Sequence, residues 1–329
     1  MTSPSTPSSR TVKPGRTGLG VGLGLAASLA FATSGTFARP LMDAGWTPGA
    51  AVFWRVAAAA LLLLPVGLWV MRGRLRVVVA EWRTVVCFGA LAVAVAQLMY
   101  FAAVSRVSVG VALLLEYLAP VALVLLAWLR TRRAPSRLVL AGTATSLVGL
   151  FCVLDLTGAR LDPLGVLFGL CAMVGAAAYF VLGARGSRLH PLALPAFGLP
   201  VGAVALGLAV LVGALPYSAP LVDVRLMGAS VPWWVPLSVV VLAATVVAYA
   251  LGVAGIAMMG ERLSSFVSLS EVLFAALIAA TVLGEIPRAI QVLGGGLIVA
   301  GVVLIRASTG AAPARRPALL EELEAGQEG

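Results

Sequence analysis

Three charged side chains fall inside long apolar runs of this chain: Arg55 in FWRVAAAALLLLP, Glu116 in VALLLEYLAPVALVLLAW and Glu271 in SEVLFAALIAATVLGE. A charge at the centre of an isolated membrane helix costs about 2.5 to 3.5 kcal/mol on insertion scales, so such groups face a bundle interior or water and mark ion or substrate paths. A carboxylate held there accepts a cation, either a proton or the ammonium group of a cargo. For Glu116 two readings stand side by side: a protonated carboxyl that hydrogen-bonds a neighbouring helix or pairs with Arg55, and a group that binds cargo or carries a proton. For Arg55 the alternatives are a cargo contact and a long stem that snorkels to the interface. Gln97 and Tyr100 share a helix face at spacing i, i+3, and Thr245 and Tyr249 share one at i, i+4. They are candidate lining residues, although a tyrosine in a membrane helix is also a common packing residue with one satisfied hydroxyl.

Other chemistries lack their residues. No GxxxxGK[ST] loop is present to cradle a nucleotide, the single histidine is His190 in a loop, and there is no HExxH. Cys87, Cys152 and Cys171 lie in apolar runs without ligand spacing and read as small packing residues. Neither a cofactor nor a metal is expected.

The elements that must position the three charges follow from composition. Of 329 residues, 61% are hydrophobic and 11% charged, against about 45 to 50% and about 25% in a soluble domain. Mean hydropathy is +1.05. This is the composition of an all-α integral membrane protein whose solvent is the lipid bilayer. A hydrocarbon core about 30 Å thick requires roughly 20 apolar residues per helix. Ten such runs occur, at 18–38, 48–71, 84–104, 108–129, 137–155, 164–184, 192–215, 234–257, 263–283 and 288–306. The alternating ten-residue strands of a membrane β-barrel are absent.

Basic residues set the orientation, because loops rich in Arg and Lys stay in the cytoplasm. With an even number of spans both tails share one side. That side carries Lys13, the Arg72, Arg74, Arg76 and Arg83 cluster, the Arg130 to Arg137 cluster and Arg315-Arg316, among seventeen basic residues, whereas the other side has five. Both termini are expected in the cytoplasm, at the cell membrane. The net charge of +10 is then a topology signal and calls for no nucleic-acid partner. The seven tryptophans fall near span ends, as an aromatic belt requires. Residues 1–17 and 308–329 are polar, rich in Pro, Ser, Ala or Glu, and read as disordered tails around a folded 18–307.

The chain also repeats itself. An offset of 145 residues pairs Leu19, Gly20, Val21, Gly24 and Leu25 with Leu164, Gly165, Val166, Gly169 and Leu170, an offset of 149 pairs Tyr100 with Tyr249, and one of 152 pairs Gly142 and Gly149 with Gly294 and Gly301. Five spans (18–156) are followed by five similar ones (163–307). Five is odd, so the second set crosses in the opposite sense. Inverted repeats exchange conformations and expose a midplane site to one side and then the other, which points to a transporter.

The sequence resembles the EamA family of the drug/metabolite transporter superfamily. The resemblance rests on the ten-span inverted repeat, Arg55 in the second span, EYLAPVALVLLAW in the fourth, and EVLFAALIAATVLGE with Gly284-Glu285 leading into a Gly-rich last span. In the first half Arg132-Arg133 stands where the family has Gly-Glu, and Val272 where it has Pro. The resemblance implies transport of amino acids, other metabolites or drugs, and the VALLLEYLAPVALVLL segment is most similar to the threonine and homoserine exporter branch. The resulting expectation is a secondary transporter exporting a small metabolite such as an amino acid, driven by the proton gradient or by the cargo's own gradient. The second reading is a non-transporting intramembrane enzyme or sensor. The expected site is Glu116, Glu271, Tyr100, Tyr249, Gln97 and Arg55.

Overall fold

The computed structural model describes residues 14–310, apart from 105, 108, 133, 155–161, 186–188 and 283–287. Most of both tails, and Gly284-Glu285, lie outside the described residues. Among the described residues nine helices are long and apolar enough to cross a membrane: α1 (Thr17–Asp43), α2 (Pro48–Val70), α3 (Trp82–Val104), α4 (Val111–Thr131), α6 (Pro163–Ala184), α7 (Ala193–Leu211), α8 (Trp234–Met259), α9 (Glu261–Val282) and α10 (Ala289–Ser308). The shorter apolar helix α5 (Arg137–Val153) completes the ten. The helices start where their caps dictate. Thr47 accepts from the Ala50 amide, Ser136 from the Val139 amide, and Asp162 from the Gly165 amide. A proline follows Thr47 and Asp162 at a first-turn position, where its missing N–H costs no intrahelical bond.

The inverted repeat is visible in how glycines meet. A Cβ added at Gly149 would stand 2.6 Å from the Gly294 carbonyl oxygen, and one added at Gly142 would stand 2.8 Å from that of Gly301. The 152-residue offset relates Gly142 to Gly294 and Gly149 to Gly301, so each glycine touches the counterpart of the other. Two repeat-related helices crossing antiparallel about a pseudo-two-fold axis produce this exchange, and α5 and α10 do so. The other helices pair across the repeats too. Gly20 and Gly24 of α1 meet Met258 and Met259 of α8, while Gly175 of α6 meets Ala96 of α3. First spans therefore pack on third spans of the opposite half, and α2 packs on α7 through Gly67 against Ala196.

Four helices are irregular, in repeat-related pairs. Residues Phe88–Val95 of α3 and Leu242–Val247 of α8 are π-helical. The buried Thr245 hydroxyl donates 2.9 Å to the Val240 carbonyl, five residues back. Helix α4 breaks after Glu116, resuming as Ala119–Thr131 with Pro120 in its first turn. Helix α9 breaks at Leu269, between Glu261–Ser268 and Ser270–Val282. No proline marks that second break. Four serines do the work instead: Ser264, Ser265, Ser268 and Ser270 each donate to a carbonyl three or four residues back, at 2.6 to 2.8 Å. Such back-bonding competes with the regular helical ladder.

A hairpin of β1 (Val224–Leu226) and β2 (Ala229–Val231) turns at Met227-Gly228, both with positive φ (51° and 81°), between α7 and α8. The preceding connection docks on the α1–α2 link, where the Trp46 indole donates 2.8 Å to the Pro220 carbonyl.

Candidate functional site

All six side chains singled out from the sequence, Arg55, Gln97, Tyr100, Glu116, Tyr249 and Glu271, line one cavity of about 530 Å3 between the two repeats. The breaks in α4 and α9 position the carboxylates. Glu116 closes the first half of α4, and Glu271 stands in the first turn of the second half of α9. A helix end exposes unpaired backbone groups and a dipole, which in a membrane is tolerated where it borders a cavity. Glu271 thus meets the positive end of a half-helix, and Glu116 the negative end of another.

Arg55 turns inward. Its Nη1 donates 2.9 Å to the Ser34 hydroxyl of α1, and its buried Nε has no partner among the described residues. The guanidinium therefore stays inside the bundle instead of snorkelling to the interface. It interacts electrostatically with Tyr249, Glu271 and Glu116, yet among the described residues no ion pair joins it to either carboxylate. One cation and two carboxylates face the same space with room between them.

Aromatic rings make up much of the wall. Phe31 meets Tyr249 edge to face at 5.3 Å and Tyr179 at 6.5 Å, and Tyr179 meets Tyr249 at 5.6 Å. The Tyr117 hydroxyl hydrogen-bonds Glu271. Met42, in the last turn of α1, lines the cavity and is 38% exposed, so the cavity reaches the end of the bundle that carries the α1–α2 link.

Thr245, paired with Tyr249 in the sequence reading, does not line this space. Its fully buried hydroxyl is spent on the π turn of its own helix. Ser34, Tyr117, Tyr179 and Ser268 do line it, and the sequence reading passed over them. A signal existed for three. The 152-residue offset sets Ser268 opposite Glu116, and the 145-residue offset sets Ser34 opposite Tyr179. Among the described residues no group of three or more His, Cys, Asp and Glu gathers as a metal site.

Two inverted five-helix repeats around a charged central cavity define a class, the repeat-built membrane transporters. The chain belongs to the EamA-like transporter family, whose sequence model matches residues 18–155 and again 163–307. It is a transporter of the drug/metabolite type. Seventeen chains of solved structures resemble it. One, a crystal structure of a protein 19% identical in sequence, aligns over 87% of this chain and 96% of its own with a TM-score of 0.70, a likeness of fold. No curated protein sequence matches this chain.

Proposed function

We propose that the protein exports a small metabolite with the charges of an amino acid, by alternating access, with both tails in the cytoplasm. The observation that carries this reading is one cation and two carboxylates in one cavity, with no ion pair among them in the described residues. Arg55 brings a guanidinium to meet a cargo carboxylate, and Glu116 and Glu271 bring oxygens to meet an ammonium group. Charges this deep stay costly until something of opposite sign arrives, and a zwitterion brings both signs at once. Its net charge is zero, so one carboxylate remains uncompensated. A proton taken up there and released on the other side couples transport to the proton gradient, and Glu116, the carboxylate without the Tyr117 hydrogen bond, fits that role.

Purified protein in sealed vesicles, tested for counterflow against a panel of amino acids, their methyl esters and decarboxylated amines, tests the reading. Exchange of intact amino acids that neither esters nor amines compete supports it. Exchange of amines alone, or of uncharged solutes alone, overturns the zwitterion assignment.

A further inference from the structure

Behind the cavity, toward the end of the bundle where α1 begins and α8 finishes, lies a separate void of about 30 Å3. Its walls come from Gly24 and Ser28 of α1, Tyr179 and Phe180 of α6, Gly252 and Met259 of α8, and Ser264 and Ser268 of α9. Of the described residues only Phe31, Tyr179, Phe180 and Ser268 border both spaces. The two are thus neighbours divided by a thin aromatic layer.

The pseudo-symmetry says what the void is. The cavity is lined by α1 (Ala38), α3 (Val104), α4 (Leu113) and α6 (Ala176), together with α2, α8 and α9. Exchanging the first four for their repeat partners gives α6, α8, α9 and α1, while α7, the partner of α2, does not border the void. Those four helices wall the void. At its heart the exchange swaps Ser34-Gly35, which line the cavity, for Tyr179-Phe180. Likewise Ala275 borders the open cavity, while its partner at the 152-residue offset, Leu123, is packed with Phe180 and Ile256.

We infer that the void is the unopened far half of the transport path, and that Tyr179 is the side chain that shuts it; this rests on the reading of the protein as an alternating-access transporter. The local chemistry is that of a movable part. The Tyr179 hydroxyl is buried with no hydrogen-bond partner among the described residues. Nothing polar anchors the ring in its closed position, and hydroxyls of Ser28, Ser264 and Ser268 wait on the side to which the path would open. Glycine is required opposite the ring, because a Cβ at Gly252 would collide with the Tyr179 hydroxyl. The closed position depends on a contact that a single methyl group removes.

The test reads accessibility and needs no cargo. Cys87, Cys152 and Cys171 are replaced by Ala, Ser264→Cys is introduced, and labelling by a small water-soluble methanethiosulfonate is timed in protein reconstituted in vesicles, with thermal unfolding recorded for every variant. Ser264 is 4% exposed in the closed arrangement, so labelling is slow. Tyr179→Ala is expected to speed it by about tenfold or more, as for a state raised from a minor population of roughly 0.1 to 10%. Gly252→Ala is expected to speed it as well, by pushing the ring out. Adding Tyr179→Phe to Gly252→Ala removes the colliding atom and is expected to restore slow labelling, which a general loosening of the fold would not do. Equal labelling in the parent and in folded Tyr179→Ala overturns the inference, as does failure of Tyr179→Phe to rescue Gly252→Ala. Either failure leaves the transport reading standing if vesicles still exchange cargo. Accelerated labelling without exchange of any tested cargo establishes the gate and counts against the assigned cargo.

Discussion

The hydroxyl of Tyr117, next to the break in α4, hydrogen-bonds the carboxylate of Glu271 next to the break in α9. The bond crosses from one repeat to the other at the point where both helices are interrupted. It makes the two carboxylates unequal, since Glu116 has no such tether among the described residues.

Removing that tether should cost function more than fold. Hydrogen bonds to charged groups contribute about 1.5 to 3 kcal/mol, so Tyr117→Phe is expected to raise the half-saturating cargo concentration by roughly tenfold or more. Detergent-solubilised protein should still elute as a single peak. Unchanged kinetics would mean that Glu271 keeps its position without the hydroxyl.

Glu116→Gln keeps the shape and hydrogen-bonding capacity of the side chain but cannot ionise. We expect normal insertion, transport reduced by about a factor of ten or more, and loss of the pH dependence of exchange with cargo binding retained. Loss of cargo binding itself would move Glu116 from proton carrier to cargo ligand. Wild-type rates and pH profile would make it an interhelical hydrogen-bonding group and nothing more.

Arg55 offers a planar fork that lysine cannot reproduce. Arg55→Lys is expected to weaken binding of carboxylate-bearing cargo about tenfold while leaving stability near that of the parent. Selective loss for carboxylate-bearing cargo, measured by competition, separates recognition from a general defect.

The three cavity-lining charges were legible in the sequence because a charge in an apolar run has few explanations. The repeat was legible because glycine spacing survived in it. Other features left weaker traces. The break in α9 was hidden because Val272 stands where proline would announce it, and the serines that replace proline look like ordinary polar substitutions. The π-helical stretches LAATVV and FGALAVAV have no residue that signals an extra-wide turn. Tyr179 sits in an apolar run where a tyrosine reads as packing, and only its offset partner Ser34 tied it to the path.

The α5–α10 contact gives a stability test with a built-in control. Gly149→Val would push against the Gly294 carbonyl and the Ile298 amide. Overpacking of this kind costs about 1 to 3 kcal/mol, seen as a lower unfolding temperature. Gly296→Ala on the same pair of helices meets nothing within 4 Å and should be neutral or slightly stabilising, as alanine is the better helix former.

Topology is checked with reporter fusions. Both tails should read cytoplasmic, and a fusion in the hairpin near Arg225 should read external. Tails on opposite sides would overturn the ten-span count, and two external tails would overturn the orientation.

The unequal pair Ser34-Gly35 and Tyr179-Phe180 has a kinetic consequence. A carrier with one narrow door and one wide door rests mostly with the wide one ajar, so cargo arriving from the two sides meets different fractions of receptive molecules. The apparent dissociation constant scales inversely with that fraction. The half-saturation concentrations on the two faces of the membrane must then differ by the resting ratio of the two states, even if the binding pocket itself is identical from both directions. The final gradient, set only by what drives the cycle, is untouched by this bias. Sidedness in such a protein is a property of its doors.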